Sequence, residues 1–187
     1  MTRILIVYAT REGQTAKIAH HIADWLEKHA CLGELFDADE AAGPPNFAAV
    51  DGVIVIAPIH ASGYPKSLVT LVKNYRKFIE LVPSAFCSVG LAVASRTSDG
   101  HAQTMPIVEK FLKRTGWTPG HIELVAGTLS YSKYNFLIRF VMRRIAAHEG
   151  GDTDTSRDYE YTDWAALDRF ASIFAHGIPR AEGKTVP

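Results

Sequence analysis

The chain has 187 residues, of which 47% are hydrophobic and 21% are charged, and its 20 Lys and Arg residues balance 20 Asp and Glu residues. This composition excludes a disordered or fibrous chain, and the zero formal charge argues against a nucleic-acid-binding protein. The two cysteines, Cys31 and Cys87, lie far apart and suit neither a disulfide framework nor a zinc motif, which favours a reducing cytoplasmic setting. No apolar run reaches the roughly 20 residues of a membrane span, so any membrane association is expected to be peripheral.

Apolar strands and amphipathic helices alternate along the first half of the chain. Ile4–Ala9 is a continuous apolar run, typical of a strand buried on both faces, and a helix with apolar residues at helical spacing follows it and ends near residues 29–33. A weak second strand is predicted at Leu35–Asp37 and a third, wholly apolar strand at Val53–Ala57. Pro65 is suited to the first turn of the next helix.

The second half of the chain continues this alternation. A fourth strand is predicted at Phe86–Ala94, a fifth at Ile122–Ala126 and a closing helix at Trp164–Ala175. Alternating strands and helices predict a right-handed parallel α/β sheet. Five strands in this length favour a flavodoxin-like, doubly wound sheet of order 2-1-3-4-5. We therefore expect one such domain over residues 1–177 and a flexible tail at 178–187.

One segment, Leu129–Tyr161, does not fit the alternation, because a minimal fold needs only a short connection there. It is predicted to be an insertion whose first half is basic and whose second half is acidic. Residues 136–148 have the spacing of an amphipathic helix that keeps Arg139, Arg143 and Arg144 off its apolar side. Such a basic face suits an anionic lipid surface or the carboxylates of a substrate. The alternative is a helix that packs its apolar side onto the sheet and leaves the arginines solvated.

The strongest site signal is the turn between the first strand and the first helix. Hydroxyls of Thr10 and Thr15 can donate to phosphate oxygens, Gly13 lets the backbone approach closely, and N–H groups at the helix start face the same anion. The alternative is a strand-end turn followed by a helix cap. The Walker A and dinucleotide-binding patterns are both absent. The candidate binding residues are Thr10, Arg11, Glu12, Gly13, Gln14 and Thr15.

A second signal is the loop at the carboxyl end of the third strand, where ligands of such sheets bind. Its small residues allow a flat ring to approach the backbone, and Tyr64 could stack on that ring. The alternative is an ordinary connection into the next helix. The candidate residues are Pro58, Ile59, His60, Ala61, Ser62, Gly63 and Tyr64.

Other segments carry weaker signals. A polar loop at Ser95–Gly100 contains Arg96, and on the residues alone a solvated loop is favoured there. The eight histidines lack metal-ligand spacing and no nucleophile elbow is present, so no metal site is expected. Cys87 lies within an apolar strand and is interpreted as a packing residue.

Taken together, the loops resemble a known family. Thr10-x-x-Gly13-x-Thr15 resembles the FMN phosphate loop of flavodoxins. Further runs are similar to those of the bacterial menaquinone-dependent protoporphyrinogen dehydrogenases, a family of long-chain flavodoxin-like FMN proteins of haem biosynthesis. These runs are Pro83–Val89, Ala126–Tyr131, Gly150–Thr155 and Tyr161–Trp164.

The resemblance implies FMN as cofactor, protoporphyrinogen IX as substrate and a quinone, menaquinone or ubiquinone, as electron acceptor at the inner face of the cell membrane. It assigns the phosphate to Thr10–Thr15 and the redox chemistry to the flavin, so no protein acid or base is named. It also implies two sets of residues beside the flavin ring. The first is Ser88, Val89, Gly90, Leu91, Ala92, Val93, Ala94, Ser95 and Arg96, and the second is Thr128, Leu129, Ser130 and Tyr131.

Two other functions remain in view. A flavodoxin-type electron carrier is disfavoured by the neutral charge, because such carriers usually dock through an acidic face. A quinone reductase fed by a nicotinamide cofactor is the other, although no nicotinamide fingerprint is visible. The oligomeric state is left open by the sequence, and a homo-oligomer is compatible with it.

Overall fold

The computed structural model describes residues 1–48, 50–95, 99–133, 146–147 and 152–179. Within them, five parallel strands form one sheet in the order β2-β1-β3-β4-β5, which confirms the predicted fold class. The strands are β1 (Thr2–Tyr8), β2 (Cys31–Asp37), β3 (Gly52–Pro58), β4 (Ser84–Gly90) and β5 (His121–Ala126).

Helices cover both faces of this sheet. They are α1 (Gln14–Lys28), α2 (Lys66–Ile79), α3 (Gly100–Thr115) and α4 (Trp164–Gly177). Alternate residues of the central strands point to opposite layers: Ile4 and Ile6 pack in the cluster that contains α1 and α4 residues, whereas Leu5 and Val7 pack with α2 and α3. Burial on both faces is the reason that these strands are uninterrupted apolar runs.

Several predicted boundaries differ from the observed ones. β2 begins at Cys31, earlier than the predicted Leu35. The prediction is too short because Gly33 and Glu34 interrupt the apolar pattern of this half-buried edge strand. β4 ends at Gly90, and Leu91–Ala94 forms a 3₁₀ turn and not the strand end expected there. The reason is that pairing with β5 stops at Gly90, opposite Ala126, so the chain bends at the sheet edge.

Ile178, the first residue of the expected tail, is packed against the fold. Ile178 is 5% exposed and belongs to the core cluster of α1 and α4. A Cβ added at Gly52 would lie 2.7 Å from the Ile178 Cδ1 atom, so the absence of a side chain at Gly52 makes room for Ile178. Residues 180–187 lie outside the described residues.

The two ends of the predicted insertion meet in a small antiparallel pair formed by β6 (Thr128–Leu129) and β7 (Tyr159–Glu160). We call residues 128–133 and 152–162 the neck. Ala146 is buried with Leu129 and Tyr131. Most of the predicted basic helix, including Arg139, Arg143 and Arg144, lies outside the described residues. Among the helices that are described, none combines the length and apolarity that crossing a bilayer requires.

Candidate active site

A cleft of about 360 Å³ opens at the carboxyl edge of the sheet. It brings together parts of four predicted segments: the turn after β1, the loop after β3, the end of β4 and the start of the insertion. Ligands of open α/β sheets bind at this edge. The lining residues are Arg11, Glu12, Gln14, Thr15, Pro58, Ile59, His60, Ala61, Val89, Gly90, Leu91, Gly127 and Thr128.

The turn after β1 has a left-handed residue at its end. Gly13 caps α1 with a φ of 95°, a conformation that favours glycine, and no side chain in the described part of the chain caps this helix terminus. The Gly13 N–H donates to Thr10 Oγ1 at 3.0 Å, so Thr10 orders the turn. A hydroxyl can accept one hydrogen bond and donate another, so this contact does not use the Thr10 hydroxyl's own hydrogen. Thr15, in the first turn of α1, is 2% exposed and lines the cleft.

The loop after β3 is a tight two-residue turn. The His60 N–H donates to the Gly63 carbonyl at 2.8 Å, and the Gly63 N–H donates back to the His60 carbonyl at 3.1 Å. Ala61 and Ser62, between them, both have positive φ values, 47° and 58°. Such a conformation costs a non-glycine residue about 1 kcal/mol or more. The turn leaves His60 and Ala61 at the rim of the cleft.

The floor of the cleft is formed where β3 and β4 end together. The Ile59 N–H donates to the Val89 carbonyl at 2.7 Å, which fixes the loop to β4. A Cβ added at Gly90 would lie 3.2 Å from the Ile59 Cδ1 atom, so a larger residue there would crowd Ile59. The small residue therefore permits the close approach of these two segments.

Tyr64 does not occupy the position predicted for it. Its ring packs against Phe86 and Phe111, with centroid distances of 5.3 and 4.9 Å, and its hydroxyl shares a 2.7 Å hydrogen bond with the Ser88 hydroxyl. Burial raises the pKa of Tyr64 to about 12, and the hydrogen bond with Ser88 partly opposes that rise. Tyr64 is thus a packing residue between the sheet and α3, and it is not among the residues that line the cleft.

The other candidate residues divide between the cleft and its surroundings. Ser88 is fully buried beside Tyr64, and the residues that line the cleft do not include Thr10, Ser62, Gly63 or the turn at 92–95. Gly13 and Ser130 line a neighbouring cavity of about 500 Å³, while Leu129 and Tyr131 are buried in the neck. Arg96 lies outside the described residues.

Thr128 lies between the cleft and this neighbouring cavity and lines both. Among the described residues, its hydroxyl is one of the buried side-chain polar atoms that have no hydrogen-bond partner. A buried polar group without a partner is unfavourable unless a ligand or water satisfies it. The site therefore suits a ligand that presents a polar atom to Thr128.

The neck contacts the turn after β1 and the helix α1 that follows it through Lys133, Glu160 and Thr162, which the sequence did not single out as site residues. The Lys133 ammonium donates to the Glu12 carbonyl, Lys17 pairs with Glu160 at 2.5 Å, and Gln14 Nε2 donates to Thr162 Oγ1 at 2.9 Å. These partners lie more than 120 residues apart in the chain, and no local pattern links them. Their common result is a firm attachment of the insertion to the candidate binding turn.

Glu160 is the acidic member of these contacts. Burial raises the pKa of its carboxyl, but the hydrogen bonds donated by Lys17 and by Trp164 Nε1, at 2.5 and 2.8 Å, outweigh burial and lower the pKa overall. Glu160 is therefore ionised at neutral pH and holds Lys17 against the neck.

Comparison with known proteins agrees with this architecture. Residues 5–156 match the family Flavodoxin_5, described as a flavodoxin domain. Among solved structures, oxidised flavodoxin 1 from Bacillus cereus has a TM-score of 0.54 at 16% identity, with 95% of this chain and 100% of that chain covered. A short-chain flavodoxin associated with a non-canonical PDU bacterial microcompartment has a TM-score of 0.55 at 15% identity, covering 96% and 100%. At these identities the structures show the fold alone.

Curated proteins of greater sequence similarity share a name. Protoporphyrinogen IX dehydrogenase [quinone] of Escherichia coli K12 is 32% identical over 174 residues, which cover 93% of this chain and 95% of that protein. The protein of the same name from Leishmania major is 32% identical over 177 residues, covering 92% and 74%. The chain therefore belongs to the flavodoxin-domain family that contains the protoporphyrinogen IX dehydrogenases [quinone].

Proposed function

We propose that the chain binds FMN, with the phosphate on the turn formed by Thr10–Thr15 and the flavin ring in the cleft beside it. Three observations support this proposal: the left-handed Gly13 at the uncapped start of α1, the cleft of about 360 Å³ next to it, and the buried hydroxyl of Thr128. Backbone N–H groups at a helix start favour an anion, and a single short turn suits one phosphate better than a pyrophosphate.

The chain's own residues would bind and orient the cofactor. FMN, when bound, supplies the redox chemistry by accepting a hydride or an electron pair with a proton. Ile59, Val89 and Leu91 provide apolar walls that exclude water, and the His60–Ala61 turn closes one rim. Thr10 and Thr15 provide hydroxyls for the phosphate, and Thr128 provides a hydroxyl at the junction with the insertion. No side chain is assigned as a proton donor or acceptor.

The reaction proposed is the oxidation of protoporphyrinogen IX to protoporphyrin IX, with the electrons passed to a quinone. The observation that carries this proposal is 32% identity over 93% of the chain with proteins named for that reaction. The identity extends beyond the flavodoxin domain match, which ends at residue 156.

The test of the reaction is anaerobic. FMN-loaded protein receives protoporphyrinogen IX with a soluble menaquinone analogue, a ubiquinone analogue or neither, and porphyrin fluorescence is recorded. Multiple turnovers are expected with a quinone. Without one, we expect no more than one porphyrin for every three FMN, because porphyrin formation removes six electrons and each FMN accepts two. Absence of porphyrin in every arm would overturn the proposal and favour an electron carrier. In a further arm that contains NADPH and a quinone but no protoporphyrinogen, quinone reduction would favour a quinone reductase.

The FMN assignment is tested separately with Thr10→Val/Thr15→Val. We expect the double variant to lose more FMN-binding free energy than the value of about 1 kcal/mol that is typical of one neutral hydrogen bond, because hydrogen bonds to a phosphate are charge-assisted. Thr70→Val/Thr118→Val is the control, since these two exposed threonines lie on α2 and after α3, away from the turn at Thr10–Thr15 in the sequence. Full FMN occupancy in the Thr10/Thr15 variant, or release of FAD from the parent protein, would contradict the assignment.

We extend the proposal to the basic segment of the insertion. Arg139, Arg143 and Arg144 are proposed to contact anionic lipid or the propionates of the porphyrinogen, because each guanidinium can bind a carboxylate or phosphate in bidentate fashion. Changing all three to Gln is expected to weaken liposome binding and raise the KM for porphyrinogen without changing FMN content. Lys110, Lys113 and Arg114, three exposed cations of α3, changed to Gln form the charge-matched control. Unaltered lipid binding and KM in the Arg variant would contradict this role.

A further inference from the structure

The peptide unit between Glu12 and Gly13 is held at both ends. Its N–H, on Gly13, donates to Thr10 Oγ1 at 3.0 Å, and its carbonyl, on Glu12, accepts a hydrogen bond from the Lys133 ammonium. This peptide leads into the left-handed Gly13 that starts α1. Rotation of the peptide would break both contacts, so together they determine which way the backbone groups of the turn face.

Lys133 is itself held in place by the neck. Its N–H donates to the Ser130 carbonyl at 3.1 Å. The preceding residue, Ser132, donates to the Asp158 carboxylate through its N–H at 2.7 Å and its hydroxyl at 2.6 Å. Pairing of β6 with β7 brings these segments together. The flexible Lys133 side chain thus starts from a fixed backbone close to the turn.

The Lys133 ammonium is also close enough to affect an anion on the turn. A Cβ built on Gly13 would lie 3.6 Å from the Lys133 Nζ atom, and both residues line the cavity of about 500 Å³. The other lysine of that cavity, Lys17, is paired with Glu160. Lys133 is directed at the turn itself, where a phosphate dianion would gain from the fixed peptide and from the nearby positive charge.

We propose that Lys133 is a positioning residue that makes the site selective for flavin bearing a terminal phosphate over riboflavin, which lacks one. The inference rests on the proposed function, because it requires the phosphate on the turn at Thr10–Thr15. It makes the insertion a part of the cofactor site: the neck supplies a cation that the minimal five-stranded fold does not contain.

The test compares FMN with riboflavin as probes. Apoprotein is titrated with each flavin, and the quenching of flavin fluorescence gives both dissociation constants for the parent, Lys133→Met, Lys133→Arg and Lys28→Met. Lys28, exposed at the far end of α1, is the matched charge control. We expect Lys133→Met to raise the FMN dissociation constant about tenfold, as for loss of one charge-assisted hydrogen bond, and to leave that of riboflavin unchanged. Lys133→Arg should recover part of the selectivity.

The outcomes separate the inference from the function on which it rests. If Lys133→Met keeps the parental ratio of the FMN and riboflavin dissociation constants, the role of Lys133 is overturned while the FMN assignment stands. A parent protein that binds FMN no better than riboflavin, or binds neither, would overturn the phosphate assignment and the inference with it. Circular dichroism of the apoproteins shows whether the variants share the parental fold.

Discussion

The central strands and the neck are stabilised by different means. In β1, β3 and β4, consecutive apolar residues are excluded from water on both faces, with Ile4, Val55 and Phe86 fully buried. In the neck, tyrosines and carboxylates form hydrogen bonds: the hydroxyls of Tyr131 and Tyr161 donate to the carbonyl and the carboxylate of Asp152, each at 2.9 Å. The core owes its stability to apolar area removed from water, and the neck depends on the geometry of a few polar contacts.

The fold and the site therefore depend on different sets of contacts. The core fixes where the carboxyl edges of the strands lie, but it contributes little polar chemistry to the cleft. The neck buries only a small cluster around Leu129 and Tyr131. It supplies Lys133 and Thr162 to the turn at Thr10–Thr15 and pairs Glu160 with Lys17 of α1. Damage to the core should therefore lower global stability, and damage to the neck should lower cofactor affinity and local stability first.

The largest expected effect is in the core. Phe86 is fully buried, stacks on Phe111 at 4.8 Å and meets Trp117 edge-on at 5.8 Å. Phe86→Ala should lower the free energy of unfolding by about 3–5 kcal/mol, through lost burial and the cavity left behind. Urea unfolding followed by circular dichroism measures this effect. A decrease in unfolding free energy of less than about 1 kcal/mol would contradict the claim that apolar burial stabilises the core.

The next effect is at the turn that the neck holds. Gly13 has a φ of 95°, so any side chain there is strained, and β-branched valine is strained most. FMN affinity, measured by titration of apoprotein, should fall from the parent to Gly13→Ala and further to Gly13→Val, with a backbone cost of about 1–2 kcal/mol for Ala. Equal affinities for all three proteins would show that Gly13 is only a turn residue.

A smaller effect is expected within the neck. Tyr161→Phe removes the hydrogen bond to Asp152 and should cost about 1 kcal/mol of local stability, seen as faster amide hydrogen exchange at the neck with unchanged exchange in β3 and β4. Tyr75→Phe, on α2 beside Phe47 and Phe78, is the control. Faster exchange in the core strands of Tyr161→Phe would contradict the separation of the two regions.

Tyr161 also makes the free energy of unfolding depend on pH. Burial, together with the hydrogen bond to Asp152, raises the pKa of Tyr161 from 10.0 to about 12. Because the folded pKa is the higher one, the stabilisation is complete below pH 10 and is lost as pH rises toward 12. The pKa of Tyr64 in the core is also raised to about 12, so Tyr64 contributes to the pH dependence over the same range. The difference in unfolding free energy between the parent and Tyr161→Phe, measured from pH 9 to 12, therefore reports the contribution of Tyr161 alone. A difference that does not shrink over this range would contradict the assignment.

The smallest effect concerns the ion pair of the neck. The side chains of Lys17 and Glu160 are 58% and 33% exposed, so their pairing is worth at most about 1 kcal/mol and is screened by salt. The lowered pKa of Glu160 means that this contribution is present above the ordinary Glu value of about 4.3 and is lost as pH falls below it. Glu160→Gln should weaken FMN binding slightly at low salt and not at high salt. Glu34→Gln, which breaks a comparable pair with Arg3 on β1, should leave FMN binding unchanged; equal effects of the two changes would contradict a specific role for the neck.

The same contrast explains what the sequence could predict. Apolar runs such as Val53–Ala57 predict buried strands directly. The alternation of strands and helices predicts a parallel sheet, and five strands in a chain of this length favour the strand order that is observed. The prediction that Tyr64 lies in the cleft is wrong because the sequence of a loop does not show which residues its tyrosine contacts. Tyr64 packs against Phe86 and Phe111 in the core. Lys133 was missed because its partner is a backbone carbonyl, which any residue provides. Contacts that join distant residues through polar geometry leave no periodic pattern in the chain.

The most direct measurement of the central claim is a single anaerobic turnover. FMN-loaded protein, in at least threefold molar excess, is mixed with protoporphyrinogen IX in the absence of any quinone, because porphyrin formation removes six electrons and each FMN accepts two. Flavin absorbance and porphyrin fluorescence are followed together. The account predicts that oxidised flavin absorbance bleaches as porphyrin appears, and that a menaquinone analogue added afterwards restores the absorbance. Oxidised flavin that persists in the presence of protoporphyrinogen, with no porphyrin formed, would contradict it.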